Sequence, residues 1–263
     1  MIEKDFYFFN DSILEEKILT ILKENQSNVL IVDYKDDYVW LKRPRESKST
    51  FLHKLFYNTT RIRGLMPVED KNKQETLYHE VTKLKRLKGK GINVPEVLGC
   101  REDFFVLENT GKCLKNYLKE PFITDTFLEN TLESCVDVLS SMHNSSEYHA
   151  GPQIKNYTLK EDTVSAIDFE DSFSKNIKLE DIQFRDFFLF LVSLTELNKE
   201  INYKEIINIY KKNTKNETID KELKNIALNI NFLTKIVEIE FLNKRFSKDV
   251  LNNYTLFKTL QQL

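Results

Sequence analysis

Apolar and polar positions first fall into a regular pattern at Val29. The run VLIVDYKDDYVWLKR, residues 29–43, reads as two short strands around the polar turn Lys35-Asp36-Asp37. Alternation in the second strand puts Tyr38, Trp40 and Lys42 on one face, and Pro44, which has no N–H for a ladder, ends it. A polar, basic stretch follows from Arg45 to Lys73. Leu77, Val81, Leu84 and Leu87 then recur at helical spacing, with Gly89 and Gly91 as the stop. INVPEVLGCREDFFVLEN supplies two more strands, the second over Phe104 to Leu107.

Beyond residue 110 the period changes. Leu128, Leu132, Cys135, Val136, Leu139 and Met142 form one apolar stripe, which predicts a long amphipathic helix. YTLK and VSAID flank Glu161-Asp162 as an antiparallel hairpin. QFRDFFLFLVSL, Gln183 to Leu194, is apolar nearly all round and predicts a buried helix, and segments 203–212 and 220–247 add helices with Glu and Lys on their outer faces. The expectation is an α+β fold. Residues 1–110 form a small β-sheet lobe with one main helix, and residues 111–263 form a larger, mainly helical lobe.

Composition narrows the class. With 41% hydrophobic and 30% charged residues over 263 positions, the chain has the balance of a globular protein able to bury a core. Its net charge of -2 gives no global pull toward nucleic acid. Cys100, Cys113 and Cys135 are odd in number and lack CxxC spacing, which argues against a disulfide framework or a zinc site and fits a reducing cytoplasm. The N-terminus lacks the basic start and small-residue cleavage site of a signal peptide, and no stretch approaches the roughly 18 apolar residues of a membrane span. The basic runs KRPRESK, TTRIRG and KLKRLKGK read first as solvated faces. Their second reading is an anionic membrane surface or glycolipid contact.

Two places carry chemistry. Glu80 falls on the apolar face of the first helix, where a carboxylate needs a partner, and Lys42 precedes it by 38 residues on a facing strand. The alternative is a Glu80 that borders the core and points outward. The hairpin brings Asn156 close to Ile167 and Asp168, so that an amide oxygen and a carboxylate converge as a site for a hard cation such as magnesium with phosphate oxygens. The alternative there is an Asn and an Asp that merely cap loops.

Read in order, VWLK ending at Lys42, LYHEV with Glu80, FFVLENTG, YHAGPQIKN and IDFE resemble the signature set of the protein-kinase-like superfamily. INVPEVLG, FVLENTG, LSSMHNSSEYHAG, AIDFED and FRDFFLFLVSL are similar to its compact bacterial branch of lipopolysaccharide-core sugar kinases and lipopolysaccharide-kinase-like proteins. The likeness runs from Val29 to Leu194. It implies one two-lobed kinase-like domain in which Lys42 holds the α- and β-phosphates of ATP and Glu80 holds Lys42. Asn156 and Asp168 bind magnesium, Glu108 and its neighbours line the adenine slot through their backbone, His149 shapes the catalytic loop, and Asp186 braces that loop through its N–H groups.

The pattern departs from the family at four points. Ala150 stands where the loop has Arg, Gly151 where it has the catalytic Asp, and Glu170 where Asp-Phe-Gly has its Gly, and no glycine-rich phosphate loop is visible. General-base catalysis contributes roughly 10²–10⁴-fold, whereas phosphoryl transfer rests chiefly on positioning and charge. The expectation is therefore an atypical Mg-ATP-dependent phosphotransferase, with Asp171 or Glu170 taking the proton. Its expected acceptor is a sugar hydroxyl of lipopolysaccharide core or a related glycolipid, and its expected place is the cytoplasm or the inner face of the membrane. The alternatives are a pseudokinase that binds nucleotide or scaffolds, and an atypical protein Ser/Thr kinase.

Overall fold

The computed structural model describes residues 6–48, 66–237 and 256–263. Five antiparallel strands form the first sheet in the order β1-β4-β5-β3-β2: β1 (Phe8–Phe9), β2 (Val29–Tyr34), β3 (Asp37–Lys42), β4 (Val97–Cys100) and β5 (Phe105–Glu108). Strands β2 and β3 are the hairpin predicted from alternation. Its turn is tighter than expected, because Asp37 already pairs with Tyr34 and Lys35 takes the left-handed φ of 53°.

Helix α1 (Ser12–Glu24) lies outside the periodic reading. The Asp11 carboxylate caps it by accepting hydrogen bonds from the backbone N–H groups of Ile13 (2.9 Å) and Leu14 (3.2 Å). Its Leu14 and Ile18 are buried against Val32, Val39, Leu41, Phe104 and Val106 on one face of the sheet. The opposite face, carrying Trp40, Phe105 and Leu107, turns toward helix α2 (Lys73–Gly89). A capping box between Asn72 and Glu75 starts α2, and its buried residues are those of the predicted stripe together with Thr76, Glu80 and Lys83.

A second sheet, in the order β6-β7-β8, extends the predicted hairpin by one strand: β6 (Lys112–Cys113), β7 (Tyr157–Lys160) and β8 (Thr163–Ala166). Gly111, with φ +96°, brings the chain into it. A Cβ there would lie 2.0 Å from the Leu159 carbonyl oxygen, so only glycine fits. Around this sheet pack α3 (Leu114–Tyr117), α4 (Asp125–Asn144), α5 (Leu179–Leu194), α6 (Tyr203–Thr214) and α7 (Ile219–Val237). The part of the predicted 220–247 helix beyond residue 237 lies outside the described residues, as does the basic run TTRIRG. One apolar cluster runs from Leu77, Val81 and Leu84 of α2, through Phe105, to Leu139, Phe187 and Leu260, so the small antiparallel-sheet lobe and the helical lobe share a core. Among the described residues no helix is long and apolar enough to cross a membrane.

Candidate active site

The end of β3 places Lys42 opposite Phe105, and α2 meets it with Glu80. The Lys42 Nζ donates to both Glu80 oxygens, at 2.7 and 2.9 Å, and to Asp168 Oδ1 at 2.5 Å, with Glu170 Oε2 at 3.9 Å. Glu80 is 1% exposed, which excludes an outward-pointing carboxylate. Burial favours a neutral Lys42, but Glu80 and Asp168 outweigh it and raise its pKa. Burial likewise raises Asp168, and Lys42 more than reverses the effect, so that carboxyl falls below its usual range. Burial pushes the Glu80 carboxyl up against the pull of Lys42. Its two oxygens accept from Lys42, and Oε1 also accepts from the Phe169 N–H at 3.2 Å, a geometry that suits the ionised form.

The hairpin closes as predicted. The Ile167 N–H donates to the Asn156 carbonyl at 2.9 Å, which sets Asp168 beside the end of β7. Asp168 adopts φ 70°, an uncommon conformation for a non-glycine residue. The Asn156 side-chain Nδ2 donates to the Gly151 carbonyl at 2.8 Å, folding the 151–156 loop onto itself. Ligand atoms of Glu80, Asp168 and Glu170 all lie within 4.8 Å of one another, a cluster of hard oxygen donors of the kind a magnesium ion takes. Glu170 is pushed up by burial and then by Asp168.

The loop before the hairpin is fixed from below. Asp186, fully buried on α5, accepts from the His149 N–H at 2.6 Å and from the Ala150 N–H at 3.1 Å, the bracing role expected of it. Arg185 Nη1 donates to the Ala150 carbonyl at 2.6 Å. Ala150 is thereby held at φ 84°. The His149 ring is buried and stacked on Phe169, with centroids 4.4 Å apart, and its Nδ1 accepts from the Gly151 N–H at 3.3 Å. Burial lowers its pKa to about 4, so it is a neutral structural ring.

Two sequence-predicted residues lie apart from this cluster. The Asp171 side chain accepts from the Ser47 hydroxyl at 2.7 Å and its carbonyl meets His79 Nε2 at 3.1 Å, so it is engaged with the first lobe. The Glu108 carboxylate accepts from Lys88 at 3.3 Å and from the Glu96 N–H at 3.0 Å, while its backbone pairs with Val39 in the sheet. The reading of KLKRLKGK as a solvated face is corrected at Lys83. That residue is 1% exposed, with its ammonium 4.0 Å from the Tyr148 ring centroid and 3.2 Å from the His149 carbonyl oxygen. Periodicity carried the signal, since Lys83 shares the buried face of α2 with Glu80, but its charge argued the other way. Lys71, hydrogen-bonded to the Glu170 carbonyl at 2.5 Å, was also missed, because nothing in its local sequence marks it.

The fold defines the class: the chain has a kinase-like fold. A solved structure, "WaaP in complex with acyl carrier protein", superposes on 88% of this chain and 98% of that chain with a TM-score of 0.53 at 10% identity. That likeness is one of fold alone. No family model matches the sequence, and no curated protein matches it.

Proposed function

We propose that the protein is an atypical Mg-ATP-dependent phosphotransferase of the kinase-like class. The observation that carries this reading is Lys42, its Nζ shared between Glu80 at 2.7 Å and Asp168 at 2.5 Å. A merely structural ion pair has no need of a second, partly exposed carboxylate, whereas a nucleotide site needs an ammonium for phosphate oxygens and an acid for the metal. Asp168 would hold magnesium, and Asn156 would join it through its amide oxygen, since its nitrogen is committed to Gly151. The metal, when bound, supplies charge neutralisation on the phosphates. Lys42 would turn from Asp168 toward those phosphates while Glu80 keeps its ammonium in place. The backbone of Glu108 and its neighbours would take the adenine edge. The lobes would be 1–110 and 111–263, meeting at Gly111.

Because Gly151 brings no carboxylate, the proton of the acceptor hydroxyl falls to Glu170. Burial and the neighbouring Asp168 raise its pKa, which suits a base, whereas the Asp171 side chain accepts from the Ser47 hydroxyl. The acceptor we favour is a sugar hydroxyl of lipopolysaccharide core or a related glycolipid, reached at the inner face of the membrane. The acyl carrier protein found in complex with WaaP adds a second partner class to screen. Gly151 and the absent glycine-rich loop favour a second reading, a nucleotide-binding pseudokinase.

Calorimetric titration of ATP with and without magnesium, into wild type and Asp168→Ala, tests the site. Metal-dependent binding that the variant loses is expected, and a folded wild type that binds no nucleotide would sink both readings. Phosphoryl transfer to purified core oligosaccharide, lost in Glu170→Gln, then separates the enzyme from the pseudokinase.

A further inference from the structure

The segment that follows Asp168 is tied, residue by residue, to the chain that leads into α2. The Phe169 N–H donates to Glu80 Oε1 at 3.2 Å. The Lys71 Nζ donates to the Glu170 carbonyl at 2.5 Å and to the Ser172 hydroxyl at 3.0 Å. Ser172 in turn donates to Glu69 Oε2 at 3.1 Å, and its carbonyl accepts from the Glu69 N–H at 2.8 Å. Asp171 is held by Ser47 and His79, and Ser47 exchanges both backbone hydrogen bonds with Lys71, at 3.1 and 2.8 Å. Underneath, Met66 is buried in one apolar cluster with Ala150, Phe173 and Ile182. The stretch before α2 thus lies across both the loop at Ala150 and the segment at Phe173.

Lys71 is the centre of this arrangement. It is 8% exposed, so its place there costs desolvation, which its hydrogen bonds and the nearby acids Asp171, Glu69 and Glu170 offset. Its hydrogen bonds go to two oxygens that flank Asp171. Fixing the Glu170 carbonyl fixes the peptide plane after Glu170, whose carboxylate lies 3.9 Å from the Lys42 Nζ. The left-handed φ of 70° at Asp168 persists only where the surroundings over-determine it, and the bonds to residues 169–172 do so.

We propose that Lys71, with Glu69 and Ser47, is a built-in latch from the first lobe that fixes residues 168–172 in their metal-binding geometry. Lys71 is a positioning residue, acting through Glu170 and Ser172. The link to metal binding rests on the function proposed above, whereas the latch itself does not.

Hydrogen–deuterium exchange of the peptide spanning 166–177, in nucleotide-free wild type, Lys71→Met and Lys71→Arg, tests the latch. Loss of both hydrogen bonds should speed exchange there about tenfold while α5 stays at its wild-type level. Lys71→Arg, able to reach the same two oxygens, should recover most of the protection. Wild-type protection in a folded Lys71→Met, or a rise spread evenly over the chain, overturns the proposal. Should Lys71→Met fail to fold, Ser172→Ala, which removes one hydroxyl, should give a local rise of about threefold, and its absence counts against the latch equally. Magnesium titration with ATP completes the test. Lys71→Met should need more metal at unchanged metal-free nucleotide affinity, and an unchanged metal requirement refutes the link to the metal. A wild type that binds no Mg-ATP refutes the kinase reading, with the exchange result still deciding the latch.

Discussion

Two lysines are buried against the same helix and treated in opposite ways. Lys42 meets α2 at Glu80, has carboxylate oxygens at 2.7 and 2.5 Å, and is held in its charged form. Lys83, three residues further along α2, makes no ion pair among the described residues. It has a carbonyl oxygen and two aromatic faces instead, and burial pulls its pKa down to about 7. The two environments separate two tasks. At the end of β3, charge is kept because two carboxylates lie against the ammonium. Under the loop at His149 the ammonium serves as a hydrogen-bond donor to the His149 carbonyl, a task that tolerates loss of the charge.

The largest effect that would break the comparison is expected from Lys42→Met. Glu80 would remain buried without its counter-charge, a loss of about 3–5 kcal/mol, measured by urea unfolding at pH 7. Pairing it with Glu80→Gln should restore most of that loss, and a double variant as unstable as the single one would mean that Lys42 is needed for packing rather than charge.

Lys83→Met should move the other way. Removing an ammonium that lacks a carboxylate partner should stabilise by about 1–3 kcal/mol, and a destabilised variant would give more weight to the bond to His149 than to desolvation.

A pH series sharpens the same point. The folded pKa of Lys83, about 7, lies below its unfolded value of 10.5, so between them the unfolded chain binds a proton that the folded chain lacks. Wild-type stability should therefore gain a component that rises from pH 7 toward pH 10, and Lys83→Met should flatten that rise. A similar slope in the variant would assign the effect elsewhere.

On the acid side, the folded pKa of His149 is about 4 against 6.5 unfolded, so its contribution is present above pH 6.5 and lost as pH falls toward 4. Its size is about 3 kcal/mol at most. His149→Gln should weaken that acid limb while leaving the alkaline limb of Lys83 intact.

Much of the fold was legible because it is local. The alternation around Trp40, the stripe Leu77-Val81-Leu84-Leu87 and the hairpin 157–166 each express a period in contiguous residues, and the structure has all three. Helix α1 was equally local. Its cap Asp11, followed by Leu14, Ile18, Ile21 and Leu22, is a readable signal that the acids between them obscured. Strand β6 was not legible, since two residues carry no period and Cys113 pairs with Thr158 far along the chain.

The sequence by itself determined which residues lie on which face of each element, and so that Asn156 would lie beside Ile167. Side-chain direction follows from backbone period, and that pairing needs only one hairpin to form. What the tertiary structure decided is which charges lie together, Lys42 with Glu80 first among them. Glu170 joins Glu80 and Asp168, Asp171 turns away to Ser47, Lys71 reaches across 99 residues to the Glu170 carbonyl, and Lys83 is buried beneath the loop. Those contacts depend on how two lobes dock. Burial acts on a charge only once all its neighbours are in place, so no local pattern carries them.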